Sequence, residues 1–332
     1  MTLYNYISEI NLKQWDDLLN HSATANFFQS KQCYDFYDGL SFVEAFAFGV
    51  SEDDVLKGVI VGYIQKDGGK VKQFFSRRAI VNGGPLLADD ISEGAVEELL
   101  KECARVLKDK AIYIEFRNFN DYSRYKGAIL RSGFRYEAHY NFHIDTSSTE
   151  VVESNLGKSR KRDIRTSLRD GAEVVENPSI EEVTEYYELL SHLYKTKVKT
   201  PLFPFEFFEK LYNESFSKFL LIRYNGKIIG GTVCVCMKDN TVYEWFACGE
   251  DGVYKNIYPS TLATYSGISY AAKNGYKRFD MMGAGKPDEA YGVRDFKMKF
   301  GGKLVEYGRY LHVNNRILYS LGKMGIKITK LL

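Results

Sequence analysis

Three groups of residues in this chain have types and spacings that can do chemistry. The first runs from Arg294 to Phe300, where Arg294, Lys297 and Lys299 interleave with Phe296, Met298 and Phe300. A fixed cation can stabilise the oxyanion that builds on a carbonyl when an amine attacks it. The plain alternative is an exposed helix lysine. The second group is a pair of acids in short strands, Glu115 in the run Ile112–Phe116 and Asp280 in Tyr276–Met282. Either can take the proton that an ammonium nucleophile must lose, and either can instead be a structural acid paired with an arginine. The third is Lys158–Arg169, in which Lys158, Arg162, Arg165 and Arg169 fall near one helical face, with Ile164, Leu168 and Ala172 on another. That face is either a cradle for phosphates or a solvated surface.

Other chemistries find little support. His21, His139, His143, His192 and His312 show no metal-ligand spacing. There is no Gly-x-Ser-x-Gly motif or Cys–His pairing to suggest a covalent nucleophile, so direct single displacement is expected, with no metal and no bound cofactor. Cys33, Cys103, Cys234, Cys236 and Cys248 are scattered without a CxxC pair and read as reduced thiols in a cytoplasm. The net charge of +2 does not demand a nucleic-acid partner, so any basic patch must be local. The N-terminus lacks the pattern of a signal peptide, and no apolar stretch approaches the roughly 18 residues of a membrane span.

The elements that must position these residues form two similar series. With 332 residues, two domains are favoured over one. In the first half, helices are predicted at Leu12–His21, Lys31–Phe36, Glu93–Leu107 and Tyr122–Arg131. Strand patterning covers Ser41–Gly62 around an acidic turn at Glu52–Asp54, then Val71–Phe75 after a hairpin turn at Lys66–Gly69, Ala111–Phe116 and Gly133–Ile144. In the second half, helices at Glu181–Tyr194 and Phe205–Tyr212 precede strands at Phe219–Tyr224, Ile228–Met237 and Thr241–Cys248, with Asn225-Gly226 as a hairpin signal. A helix then starts at Ser260, read as its N-cap, and closes at Asn274-Gly275. A strand, a turn of Gly283, Gly285 and Pro287, and the strand Lys303–Val313 follow. The similar grammar before 131–144 and 299–313 reads as a duplicated α/β unit, with domains at 1–147 and 148–332.

The stretch from Tyr258 to Gly302 resembles the C-terminal signature of the Fem family of aminoacyltransferases. The matching residues are Gly275, Phe279, Asp280, Gly283, Gly292, Phe296, Lys297, Phe300, Gly301 and Gly302. Phe28-Gln29-Ser30 and Gly84-Pro85 resemble the family's Gln-Ser and Arg-Gly-Pro motifs, and Lys158–Gly171 resembles its basic helix. Where the family usually has Trp and then Lys after Gln-Ser, this chain has Tyr34 and Tyr37, and Gly83 stands where the family has Arg.

The resemblance implies an α/β chain of two tandem GNAT-like domains, each a mixed twisted sheet flanked by helices, without the long helical arm of some members. It implies transfer of an aminoacyl group from an activated donor, aminoacyl-tRNA, to an amine of a cell-wall peptide precursor lying in a groove between the domains. Lys297 would stand at the reacting carbonyl, with Phe296, the basic helix face, Tyr34, Tyr37, Tyr243 and Trp245 as substrate contacts. The loop Glu250–Ser260 lacks the pyrophosphate-binding pattern of acetyl-CoA enzymes. Two further readings stand beside this one: an N-acyltransferase acting on an amino sugar with a CoA or carrier thioester, and a non-catalytic glycan or peptide binder. The C-terminal run Asn314–Leu332 is basic and amphipathic, either a packed terminal helix or one resting on the inner membrane surface.

Overall fold

The structure, a computed structural model, describes residues 1–65 and 76–331, with side chains as far as Met324. The predicted turn at 66–69 and strand at 71–75 lie outside the described residues. The chain divides into two compact units. Unit 1 is Met1–His139 with Tyr307–Leu332, and unit 2 is Tyr140–Glu306. The C-terminal strand and helix therefore cluster with the first half, a different division from 1–147 and 148–332.

In unit 1 the sheet runs Thr2–Tyr4, Val43–Glu52, Val55–Gln65, Arg78–Gly83, Tyr113–Asn118, Arg309–Val313 and Arg135–Glu137, with Leu86–Leu87 paired to the third strand. The pair Arg78–Gly83 and Tyr113–Asn118 is parallel, and its neighbours are antiparallel. The sheet is covered by the helix Glu93–Leu107, capped by Ser92, whose hydroxyl accepts from Ala95 N. Val96, Leu99, Leu100, Cys103 and Leu107 recur at helical spacing and are buried against Phe48, Ile60, Val81 and Ile114. Each such side chain contributes about 1.5–3 kcal/mol by leaving water, and truncating Leu99 to Ala would cost about 2–5 kcal/mol.

Unit 2 has the same arrangement in the same order of pairing. Its sheet runs Lys303–Glu306, Tyr140–Asp145, Arg278–Gly283, Thr241–Gly249, Lys227–Met237, Ser217–Tyr224 and Glu173–Val175. Again one pair, Thr241–Gly249 with Arg278–Gly283, is parallel. The duplication read from the sequence is therefore present in the topology. The strands predicted at 133–144 and 303–313 each break in two. Arg135–Glu137 stays in the unit 1 sheet and Tyr140–Asp145 enters that of unit 2, while Lys303–Glu306 stays in unit 2 and Arg309–Val313 joins unit 1. Each sheet thus contains a strand supplied by the opposite half of the sequence.

The helix Pro259–Lys273 begins two residues earlier than an N-cap at Ser260 predicts. Tyr258 is the N-cap and Pro259 occupies the first helical position, where its missing N–H would be unsatisfied anyway. Ser260 instead uses its backbone N–H to donate to Asp251 Oδ1 at 3.1 Å. The segment after Ile180 forms the helix Ile180–Leu193, a π-helical turn at Tyr194–Val198 and the short helix Phe205–Tyr212.

Candidate active site

The site of interest in unit 2 is built where two parallel strands part. Thr241–Gly249 and Arg278–Gly283 pair only at Thr241 with Arg278, Val242 with Phe279 and Tyr243 with Asp280. On the far side of Thr241–Gly249, a register shift between Val233 and Cys234 leaves Trp245 as an extra residue. On the far side of Arg278–Gly283, a second shift falls between Asp280 and Gly283, and Met282 takes a left-handed φ of 55°. Irregular strands leave backbone carbonyls without ladder partners. The site is chemically rich because side chains satisfy them.

Lys297, on the helix Gly292–Met298, does this. Its Nζ donates to the carbonyls of Met281 and, at 2.8 Å, Gly283. These use two of the three donors of an ammonium. Lys297 is only 9% exposed, which excludes the exposed-lysine alternative. Burial pushes its pKa down, against the opposing charges of Glu244 and Asp280.

Glu244 is the acid that sequence reading missed. It lies on the parting strand, is buried, and its Oε1 accepts from Thr264 Oγ1 at 2.8 Å and Thr232 Oγ1 at 3.5 Å. Burial pushes its pKa up, with Lys297 and the two threonines pulling the other way. A carboxylate raised in this way is a stronger base than an exposed one. The available signal was an acid inside the otherwise apolar run Thr241–Cys248.

The structure gives the predicted acids different settings. Asp280 is fully buried, accepts from Met282 N at 2.7 Å and stands 3.2 Å from His143 Nε2, its cross-strand partner. Its carboxylate is held by the strand's own irregularity. Glu115, in unit 1, accepts from Arg117 Nε at 2.6 Å and Arg309 Nη1 at 3.1 Å. Burial raises its pKa, but the two guanidiniums more than offset this and hold it at about 2. A carboxylate so held is a poor base at neutral pH, so the ion-pair alternative is the one the geometry favours.

The basic helix forms over Lys158–Arg169, as its sequence predicts. Lys158, Arg162, Arg165 and Arg169 are all exposed. Arg162 pairs with Asp163 at 2.9 Å and Arg169 with Asp170 at 2.8 Å. Leu168, expected on the apolar face, is exposed, and the buried face is Arg160, Asp163, Ile164 and Ser167. Arg160, missed from the sequence, donates to Thr261 Oγ1 at 3.0 Å and lies over the rings of Phe296 and Phe300. Phe296 is thus at least partly committed to holding the helix that carries Lys297.

Among the aromatic candidates, Tyr243 is fully buried in the core, and Trp245 is half-buried against Phe207. Tyr243 therefore presents no ring to a ligand in this conformation. In unit 1, Tyr34 is half-buried. Tyr37 is buried, accepts from Asn82 Nδ2 at 3.2 Å and packs on Tyr63, so it too is core. The Gln-Ser and Gly-Pro motifs prove to be partners. Gln29 Nε2 donates to Gly84 O at 3.0 Å, and Ser30 caps the helix Lys31–Asp38. Gly83 has φ +82°, and a Cβ there would meet the Asn26 amide at 2.1 Å. Gly301, in the C-terminal signature, has φ +81° and would bring a Cβ within 2.0 Å of Asn155 O. Among the described residues no group of His, Cys, Asp and Glu could hold a metal ion, and no helix is long and apolar enough to cross a membrane.

Residues 217–324, which include Glu244 and Lys297, match the FemAB family model. The structure of FemX superposes with a TM-score of 0.71 at 13% identity, covering 97% of this chain and 99% of that one. A tandem GNAT protein from the clavulanic acid biosynthesis pathway gives a TM-score of 0.57 at 10% identity, covering 94% and 99%. L-PGS from Bacillus licheniformis gives 0.56 at 14% identity, covering 96% and 97%. No curated protein matches the chain in sequence. The fold is the tandem GNAT fold, and the Fem resemblance of the C-terminal signature holds. The stretch matched by the family model contains that signature, and the structural neighbours share the fold.

Proposed function

We propose that the chain transfers an aminoacyl group from aminoacyl-tRNA to an amine of a cell-wall peptide precursor, in the cytoplasm and by direct displacement. The observation that carries this reading is Lys297, buried against the carbonyls of Met281 and Gly283 on one of the two parting strands, with one ammonium donor left over. In this reading that donor meets the acyl oxygen as negative charge develops. Glu244 takes the proton released by the attacking amine, and Asp280 and His143 fix the strand whose carbonyls hold Lys297.

The choice of donor is supported by the start of the helix Pro259–Lys273. In acyl-CoA enzymes, amides at such a helix start hold a pyrophosphate. Here Pro259 has no N–H to offer, and the Ser260 N–H is already given to Asp251. A carboxylate in that place repels a second anion. The exposed cations Lys158, Arg162, Arg165 and Arg169 suit a tRNA backbone.

The test is binding and single-turnover transfer with charged tRNA and, separately, acetyl-CoA at fixed salt. Salt-sensitive tRNA binding, weakened by charge reversal at Lys158 and Arg165, with transfer to an amine-bearing peptide, supports the reading. Saturable CoA binding unaffected by those reversals points instead to a thioester-dependent N-acyltransferase.

A further inference from the structure

We propose that the C-terminal helix Arg316–Leu331 seats unit 1 on an anionic membrane surface. Its inner face is fixed to the unit. Tyr319 packs edge-on to Tyr113 at 5.4 Å between ring centres, and its hydroxyl accepts from Arg135 Nη2 at 3.1 Å. Leu318 beside it is half-buried. The opposite face is apolar and open. Ile317 is 75% exposed, Leu321 48% and Met324 55%. These positions are four and three residues apart, so the side chains stand in one stripe along the helix. A stripe of large apolar side chains facing outward marks an interaction surface when it is contiguous.

The charge around the stripe identifies the partner. Beside it lies a cleft of about 730 Å³ lined by Arg135, His312, Arg316 and Lys323. Among the described residues no carboxylate lines it, although Arg135 Nη2 also stands 3.3 Å from Glu137 Oε1. The sequence continues with Lys327 and Lys330. An apolar stripe edged by cations is the pattern of a helix that lies in the headgroup plane, its apolar side chains among the acyl chains and its cations on lipid phosphates. A protein partner would need acids in register with the same cations. A lipid surface supplies both components without register. This inference does not depend on the transfer reaction proposed above.

The test is co-sedimentation of the full chain with vesicles of phosphatidylglycerol and phosphatidylcholine, and with phosphatidylcholine alone. The expected result is salt-sensitive binding to the anionic vesicles and much weaker binding to the neutral ones. R316E with K323E, and separately I317D with L321D, should each lower anionic-vesicle partitioning about tenfold. All four side chains are exposed, so an unchanged thermal midpoint checks the fold. The proposal is overturned if the wild-type chain stays in solution with anionic vesicles or if neither pair of substitutions changes partitioning. It is also overturned if I317D with L321D only converts a dimer to a monomer.

Discussion

The Arg160 guanidinium lies 4.4 Å from the centre of the Phe296 ring. It thereby ties the basic helix to the helix that positions Lys297, and its bond to Thr261 adds the start of a third helix. Arg160→Lys keeps the charge but loses the planar stacking surface and the fork of donors. The expected outcome is a loss of about 1–2 kcal/mol in denaturant unfolding and a fall in kcat with KM little changed. An unaltered kcat would show that Lys297 needs no such support.

Lys297→Met removes the cation and leaves the carbonyls of Met281 and Gly283 buried without their donor. Unfolding free energy should fall by about 1–3 kcal/mol, and single-turnover transfer by about 10²–10³-fold. Loss of stability with transfer intact would confine Lys297 to a structural role.

Glu244→Gln keeps the shape and both threonine contacts but cannot accept a proton. Burial raises the Glu244 pKa above its ordinary 4.5. Between those two values the folded chain holds a proton that the unfolded chain has released, so wild-type stability falls as pH rises through that window. The Gln variant should lack this fall and be the more stable form above it. Wild-type kcat should rise with pH through the raised value, and the variant should lose about 10²–10⁴-fold. Identical pH profiles for the two proteins would rule Glu244 out as the base.

Glu115 has the opposite sign. Its pKa is held at about 2 against an ordinary 4.5. Its pairing with Arg117 and Arg309 therefore contributes stability above pH 4.5 that is lost as pH falls toward 2, amounting to as much as about 3 kcal/mol. Glu115→Gln should destabilise the chain at neutral pH and flatten its acid unfolding. Equal acid midpoints for the two forms would refute this.

Much of this was legible in the sequence, and for identifiable reasons. The helix Lys158–Arg169 forms at its predicted ends because a charged, Gly-bounded run leaves little else to fold into. Asn225-Gly226 makes its hairpin because both residues take positive φ. Lys297 stood out through its place beside Phe296. Arg160 did not, because its charge suggested solvent, while the spacing of Arg160, Ile164 and Ser167 put it on the buried face. Glu244 was hidden because its partners Thr264 and Thr232, and the burial that raises its pKa, come only with the fold. The strand exchange left no trace, since 133–144 and 303–313 each read as one uninterrupted strand.

That exchange sets an order of events during synthesis. Unit 2 is one continuous segment, Tyr140–Glu306, whereas the sheet of unit 1 waits for Arg309–Val313. At about 5–20 residues per second, the ribosome needs roughly ten seconds or more to go from His139 to Val313. Through that interval Tyr113–Asn118 lacks its antiparallel neighbour and presents an open edge. The half of the molecule made first is thus the last to be finished. A nascent chain stalled or cut short of Arg309 carries a completed second unit attached to an adhesive first one.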